Sequence, residues 1–296
     1  MRDNKKLYRT ISIVSLLVML IAILMLIWIF LRISKSHQQY RDLSQIVSLD
    51  RKDDAAQVQT DPTAVPDEDT LIPGEQPAAE EAPLPSEEPS DAEIAPQEEI
   101  PIDFAYLHEV NEDIIAWIRV DGTTVDYPIL YDQTKERFYL NHNYSGAYTM
   151  AGSIFMQGEN SKDFDDFNTV IYGHNLIDKR MFGCLHDFEQ KDFFDEHDSI
   201  VIYTPDRVLR YRIFAAYRTD KQNLLTMFSY ETEEDRQAYV DRIFTHEVRA
   251  LFRPEAAPTP DDRIVTLSTC IGNPAYRYLV QGKLIEELPG SFEPQN

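Results

Sequence analysis

Apolar and polar residues alternate differently in successive parts of the chain, and the first pattern is an unbroken apolar run. Ile11 to Leu31 contains no charged residue, and its polar members are Ser12 and Ser15. A helix of this length is about 30 Å long, which matches the hydrocarbon thickness of a bilayer. The run therefore predicts a single transmembrane helix over 11–31 that acts as a signal anchor, with residues 1–10 as a cytoplasmic N-terminus.

A cleavable signal peptide is the competing interpretation of the same run. Its apolar region would be about 7–15 residues long and would end at a small-residue cleavage site. The segment Leu31-Arg32-Ile33-Ser34-Lys35 offers no such site, so an uncleaved anchor is favoured. Basic residues stand on both sides of the run in nearly equal number, so charge alone favours a cytoplasmic N-terminus only slightly.

The second pattern is an acidic, proline-rich stretch with few apolar residues. From Asp53 to Glu99 the chain carries 15 acidic residues and no Lys or Arg. Such a stretch repels itself and has little to bury, so residues 32–100 are predicted to be a juxtamembrane segment followed by a disordered tether. The tether accounts for most of the net charge of −23. No basic patch with interleaved aromatic residues is present to suggest nucleic-acid binding.

Short alternating apolar runs dominate from about residue 101 to 290, which predicts one mostly β domain, followed by a tail at 291–296. Ala116 to Val120 and Thr123 to Tyr127 flank Asp121-Gly122, a pair that predicts a two-residue type I′ hairpin loop. The other predicted strands are Gly152 to Met156, Thr169 to Tyr172, Ser199 to Thr204, Leu209 to Tyr217, Arg263 to Ser268 and Arg277 to Leu284. Many short strands of this kind imply a barrel or a sandwich.

Two segments follow a helical period instead. Asp103 is a predicted N-cap for a short helix with Phe104, Leu107 and His108 on one face. Thr232 to Arg249 begins with Thr and Asp at capping-box spacing, and its apolar residues recur every three or four positions. The second segment predicts an amphipathic helix inserted before the last strands.

Candidate chemistry lies at the ends of the predicted strands. Cys270 ends the segment Thr266-Leu267-Ser268-Thr269-Cys270, Arg277 follows seven residues later, and His174 follows another β-branched run. Cysteine, histidine and arginine together can form a thiol acyl-transfer site. The alternative is that Cys270 is a small buried hydrophobic residue, which is the commoner fate of a lone cysteine. A Cys184–Cys270 disulfide is a further alternative, although Cys184 lies in an apolar patch that indicates packing.

The same residues resemble the active-site signature of the sortases, cysteine transpeptidases of Gram-positive cell surfaces. Class B is the most similar. The resemblance runs over about residues 101–288, in the family's order. It is carried by Thr266 to Cys270 with Arg277, by Tyr172-Gly173-His174-Asn175, and by Trp117-Ile118, Asp126 to Ile129, Phe138 to Tyr144, Ala151 to Met156, Met181 to Gly183 and Leu185.

The resemblance implies an eight-stranded β-barrel with an N-terminal helix and a helix inserted between strands 6 and 7. It implies that Cys270 is the nucleophile, His174 the acid and base, and Arg277 the donor to the oxyanion. Ser268 and Leu140 are expected to line the groove for the sorting motif, with ordinary packing as the alternative. Ile271-Gly272 and Gln157 stand where the family often has acidic residues, so no orienting carboxylate is expected there.

The function implied is that of a membrane-anchored, cysteine-type transpeptidase whose catalytic domain is extracellular. It would cleave a C-terminal sorting signal after Thr and transfer the protein to a peptidoglycan amine. A pilin-polymerising enzyme, a thiol hydrolase and a non-catalytic surface module remain open. No metal-ligand spacing is present, so no cofactor is expected. The remaining histidines are expected to be surface or core-filling residues: His37, His108, His142, His186, His197 and His246.

Overall fold

The computed structural model describes residues 13–25, 27, 40, 43, 98–131, 133, 137–221, 223–273 and 275–292. Ten strands and four short α-helices follow one another in the described residues from Glu98 onwards. The strands are β1 Glu98–Glu99, β2 Ile114–Val120, β3 Asp126–Tyr131, β4 Ile154–Met156, β5 Asn168–Tyr172, β6 Ser199–Tyr203, β7 Arg207–Asp220, β8 Leu251–Phe252, β9 Ile264–Cys270 and β10 Tyr276–Ser291. The α-helices are α1 Phe104–Val110, α2 Lys191–Glu196, α3 Leu224–Met227 and α4 Glu233–Ile243. Three 3₁₀ turns occupy Phe138–Leu140, Gly183–Glu189 and Pro254–Ala256.

Eight of these strands close into a barrel. The order is β10-β9-β5-β4-β3-β2-β6-β7, and β7 pairs again with β10. The two-residue strands β1 and β8 extend the edges of β10 and β7. The predicted eight-stranded barrel is confirmed, and α4 lies between the sixth and seventh barrel strands, β7 and β9, as the resemblance implied.

Alternate residues of β9 face two different cores, as the period of a strand requires. Val265 and Leu267 belong to the main cluster inside the barrel, together with fully buried Trp117. Ile264 belongs to a second cluster that contains Tyr239 and Ile243 of α4. The outer surface of β9 is therefore covered by α4 along part of its length.

A buried polar network joins α4 to that outer surface. Gln281 of β10 donates from Nε2 to the Tyr239 hydroxyl at 3.1 Å and to Thr266 Oγ1 at 2.8 Å, and its Oε1 accepts from the Tyr217 hydroxyl at 2.9 Å. Thr266 in turn donates to Asn168 Oδ1 at 2.7 Å. Each of these groups is buried and hydrogen-bonded, so the network adds specificity to the docking of α4 without leaving a polar group unpaired.

Helix α4 begins as predicted and ends earlier. The Thr232 hydroxyl accepts from the Asp235 N–H, and the Asp235 carboxylate accepts from the Thr232 N–H, which completes the capping box. The helix stops at Ile243, where the Thr245 hydroxyl bonds back to the Arg242 carbonyl at 2.7 Å. The segment up to Arg249, predicted to be helical, is therefore a loop.

The hairpin between β2 and β3 also differs from the prediction. Five residues, 121–125, separate the two strands, and the Val120 N–H donates to the Val125 carbonyl at 3.3 Å. Gly122 has φ +69°, but Asp121 does not have the positive φ that a type I′ turn also requires. The predicted N-cap of α1 is confirmed, because Asp103 Oδ1 accepts from the Tyr106 N–H at 2.9 Å. His108 is exposed.

Several described residues bear on the predicted anchor and tether. Residues 13–25 are helical with exposed side chains, and no helix among the described residues is both long enough and apolar enough to cross a membrane. The rest of the predicted span, 11–31, lies outside those residues. Tyr40 is buried against the barrel domain, where its hydroxyl donates to the Gly152 carbonyl at 3.0 Å. Strand β1 begins at Glu98, two residues before the predicted end of the tether.

Candidate active site

Cys270 is the last residue of β9, and Arg277 lies directly opposite it on β10. Side chains of opposed residues in an antiparallel pair point to the same face of the sheet. Ser268 and Leu279 form the next opposed pair on that face, and Thr266 and Gln281 the pair after it. The sulfur and the guanidinium therefore share the outer face that α4 covers further along the strands.

His174 reaches the same position from the other neighbour of β9. Strand β5 runs parallel to β9 with Tyr172 beside Ser268, and the Gly173 N–H donates to the Ser268 carbonyl at 3.2 Å. His174 follows two residues after Tyr172, so it lies at the end of β5, next to the end of β9. His174, Cys270 and Arg277 therefore form a row of residues at the neighbouring ends of β5, β9 and β10.

Gly173 is required for this exit of the chain from β5. A Cβ at this position would approach a ring atom of Phe182 and the Ile154 Cδ1 to 2.6 Å, so both neighbours would have to shift to admit it. After Gly173 the chain turns back on itself, since the His174 carbonyl accepts from the Phe182 N–H at 3.0 Å. The turn leaves the His174 side chain on the surface at the strand end, as the sequence suggested.

The imidazole of His174 is held by the 3₁₀ turn that contains Leu140. Its Nε2 lies 2.7 Å from the Leu140 carbonyl oxygen. Because a carbonyl only accepts, Nε2 carries a hydrogen and Nδ1 can act as an acceptor when the ring is neutral. The Leu140 side chain is 42% exposed, so it is available to a ligand beside His174.

Ser268 is nearly buried and lies on the same face of β9 as Cys270. Tyr172 stands beside it, and burial raises the pKa of the Tyr172 hydroxyl, which therefore stays neutral. Leu140 and Ser268 thus flank the row from two sides. Their predicted role in substrate binding stays a prediction.

Both cysteines are free thiols, so the structure contains no Cys184–Cys270 disulfide. Cys184 is buried in the main core, where its thiol faces the Met181 carbonyl at 3.6 Å. Cys270 is partly exposed. Of the two thiols, Cys270 is the one that a substrate can reach.

Two residues beside Cys270 were not predicted to have a role. The Cys270 carbonyl oxygen accepts from Asn175 Nδ2 and from His186 Nε2, each at 2.9 Å. The other ring nitrogen of His186 lies 2.7 Å from Glu189 Oε1. The sequence predicts only a surface or core-filling role for His186, because its separation of 84 residues from Cys270 gives no sequence signal.

The three polar groups of the row suit acyl transfer. A thiol can become the nucleophile, an imidazole can move a proton, and a guanidinium can donate to a developing oxyanion while staying charged. Among the described residues, no group of three or more His, Cys, Asp or Glu side chains is arranged to hold a metal ion.

Comparison with known proteins bears on the family. The Sortase domain family matches residues 118–285. Sortase B of Listeria monocytogenes is 32% identical over 182 residues, which cover 60% of this chain and 72% of that protein. The chain belongs to the sortase family, in class B. Sortase B of Staphylococcus aureus is 31% identical over 174 residues, covering 59% of this chain and 70% of that one.

Solved sortase structures share the fold. Sortase B of Clostridium perfringens has a TM-score of 0.57 at 30% identity, covering 62% of this chain and all of that one. A Staphylococcus aureus sortase B–substrate complex has a TM-score of 0.54 at 31% identity, covering 62% and 84% of the two chains. As a member of this family the chain is a cysteine transpeptidase. The family match over residues 118–285 contains His174, Cys270 and Arg277.

Proposed function

We propose that this sortase is anchored in the membrane and transfers proteins from a C-terminal sorting signal to an amine of the cell wall. The observation that carries the proposal is that Cys270 and Arg277 lie opposite each other on β9 and β10, with His174 at the neighbouring end of β5. Family membership supports the reaction type, and the apolar run from Ile11 to Leu31 supports the anchor.

The reaction begins with the Cys270 thiolate. It attacks the carbonyl carbon of the threonine in the sorting signal, and the carbonyl electrons move onto oxygen. Arg277 donates hydrogen bonds to this oxyanion, and one charge-assisted bond of this kind lowers a barrier by about 3 kcal/mol. Collapse of the intermediate breaks the C–N bond and leaves the threonine acyl group on the Cys270 sulfur as a thioester.

His174 manages the protons in both halves of the reaction. Its imidazolium donates a proton to the departing amine, which becomes the N-terminus of the released peptide. The neutral ring then accepts a proton from the incoming amine as that amine attacks the thioester. A new amide forms and the thiolate leaves. Because the ring returns to its starting state, no further acid is required.

The test is a reaction of the full-length chain with peptides that carry candidate sorting motifs, with and without an amine acceptor. Amide product that depends on the acceptor supports transfer, whereas cleavage that ignores the acceptor indicates a thiol hydrolase. Product formed only with a pilin lysine would indicate a pilin-polymerising enzyme. Activity that survives in Cys270→Ala would contradict the proposal, and Cys184→Ala serves as the matched thiol control.

A further inference from the structure

The last carbonyl of β9 has an unusual pair of partners. On β5, the Gly173 N–H donates to the Ser268 carbonyl, so the next N–H in a continued parallel ladder would reach the Cys270 carbonyl. The chain leaves β5 at Gly173 to present His174, so that N–H is displaced. Side-chain donors from Asn175 and His186 occupy its place, each 2.9 Å from the Cys270 oxygen.

His186 has partners at both ring nitrogens. Its Nε2 lies 2.9 Å from the Cys270 carbonyl oxygen and 3.1 Å from Asn175 Nδ2. Its Nδ1 lies 2.7 Å from Glu189 Oε1. The ring is therefore held between the end of β9 and the Glu189 carboxylate.

Further contacts fix this pair in place. Arg249 Nη1 lies 2.9 Å and 2.7 Å from the two carboxylate oxygens of Glu189. The His186 ring stacks on buried Tyr278, with 5.0 Å between ring centroids. The His186 and Glu189 side chains are 21% and 16% exposed, so solvent screens their interaction only partly.

Arg249 belongs to the loop that follows α4, in the left-handed conformation with φ +51°. Through Arg249 and Glu189, this loop is connected to the backbone of Cys270 on the opposite side of β9 from Arg277.

We propose that His186 is a positioning residue which, braced by Glu189 and assisted by Asn175, fixes the Cys270 carbonyl and thereby holds the nucleophile in its reactive orientation. The proposal rests on the proposed role of Cys270 in acyl transfer. His186 does not contact the reacting atoms, and it acts through the backbone of the residue that does. A displacement of about 1 Å at a nucleophile can reduce turnover about 100-fold. Fixing the Cys270 carbonyl therefore helps to keep turnover high.

Two readouts test the proposal on the full-length chain. The first is the carbonyl carbon resonance of Cys270 after labelling with cysteine enriched in carbon-13 at the carbonyl. The chain contains two cysteines, so the spectrum has two such signals, and Cys184→Ala assigns them. The second readout is kcat and KM for acceptor-dependent transfer from a sorting peptide.

In His186→Ala, the Cys270 resonance should move upfield, because one donor to the carbonyl is lost. The kcat should fall about tenfold while KM changes less than about twofold, since the bound peptide is not touched. His186→Gln keeps an N–H donor and should recover part of both effects. Glu189→Gln should lower kcat less, because it removes the brace but leaves the ring.

The matched control is His197→Ala. His197 also pairs with a carboxylate, because its Nδ1 lies 2.8 Å from Asp121 Oδ2. This carboxylate belongs to the β2–β3 loop and not to the surroundings of Cys270. This variant should leave both readouts unchanged.

An unchanged kcat in folded His186→Ala would overturn the proposal, as would an unmoved Cys270 resonance. If His186→Ala does not fold, the same criteria apply to His186→Gln and Glu189→Gln. If His186→Ala shows the resonance shift but the parent chain itself transfers no peptide to the acceptor, the result would instead contradict the proposed function.

Discussion

The outer face of β5, β9 and β10 has a covered half and an open half, and the two halves use polar residues in opposite ways. Under α4, the side chains of Asn168, Thr266 and Gln281 bond to one another and to Tyr239. Four residues further along β9, and four residues back along β10, Cys270 and Arg277 lie where α4 no longer covers the sheet. The covered half uses its hydrogen bonds for docking, and the open half leaves reactive groups accessible to a ligand.

The comparison shows how one set of strands supports both stability and chemistry. In the covered half, every substitution of a network residue should affect the free energy of unfolding, because a buried partner is left unsatisfied. In the open half, a substitution should affect turnover, because few buried groups depend on it. The following changes test whether the two halves are separable in this way.

The largest effect is expected for Cys270→Ala. Loss of the nucleophile should reduce acceptor-dependent transfer about 10⁴-fold or more, since the remaining groups cannot form a thioester. The midpoint of thermal unfolding should change little, because the thiol is partly exposed. Kinetics and a melting curve on the same preparation check both. A large loss of stability would mean that the open half is also structural.

Arg277→Lys should be the next most damaging change. Lysine keeps the positive charge but loses the planar, multiply donating guanidinium, so kcat/KM should fall about 100-fold. The measurement is steady-state transfer from a sorting peptide at saturating acceptor. Arg218→Lys is a control on the neighbouring strand β7, where Arg218 lies over the Tyr276 ring at 3.7 Å. Equal losses in the two variants would argue against a specific role for Arg277.

Gln281→Leu addresses the covered half. The change leaves the Tyr217 hydroxyl and Thr266 without their bonds to Gln281, so unfolding should become easier by about 2–3 kcal/mol. Urea denaturation measures the loss, and kcat/KM below the transition should change less than about threefold. Gln237→Leu, on the exposed side of α4, should change stability by less than about 0.5 kcal/mol. A turnover defect in Gln281→Leu would show that the halves are coupled.

The smallest effect is a pH dependence in the covered half. The His246 ring stacks on the Tyr217 ring, with 4.3 Å between ring centroids. Burial lowers the pKa of His246, and the positive charge of nearby Arg242 lowers it further. The folded state then binds the proton less well than the unfolded state, so stability is lost as the pH falls through about 6.5. His246→Gln should flatten this part of the stability curve. Identical slopes in parent and variant between pH 7.5 and 5 would contradict the assignment.

Local signals in the sequence were sufficient for much of the fold. Thr232 and Asp235 lie three residues apart, and the capping box they form depends on that spacing alone. The predicted end of β5 at Tyr172 is confirmed, whereas β9 continues two residues past the predicted end at Ser268 and includes Cys270. The hairpin at Asp121-Gly122 was wrong because the pair fits more than one turn, and the backbone of Asp121 decides between them.

Long-range contacts explain what could not be predicted. Asn175 and His186 meet at the Cys270 carbonyl only because β5 ends early and the following 3₁₀ turn folds back beneath β9. No spacing in the sequence encodes that meeting. The early end of α4 is similar, since the apolar pattern continues to Val248, which is exposed.

The burial of Tyr40 has a consequence for the reach of the enzyme from the lipid surface. If Ile11 to Leu31 spans the bilayer, Tyr40 follows nine positions after its end. Nine extended residues cover at most about 30 Å, and the hydroxyl of Tyr40 is already bonded to Gly152 on the domain. The acidic stretch between Tyr40 and Glu98 then does not determine the distance between the domain and the membrane, because both ends of this stretch are attached to the domain. Lengthening that stretch would then leave the barrel domain at the same height above the membrane.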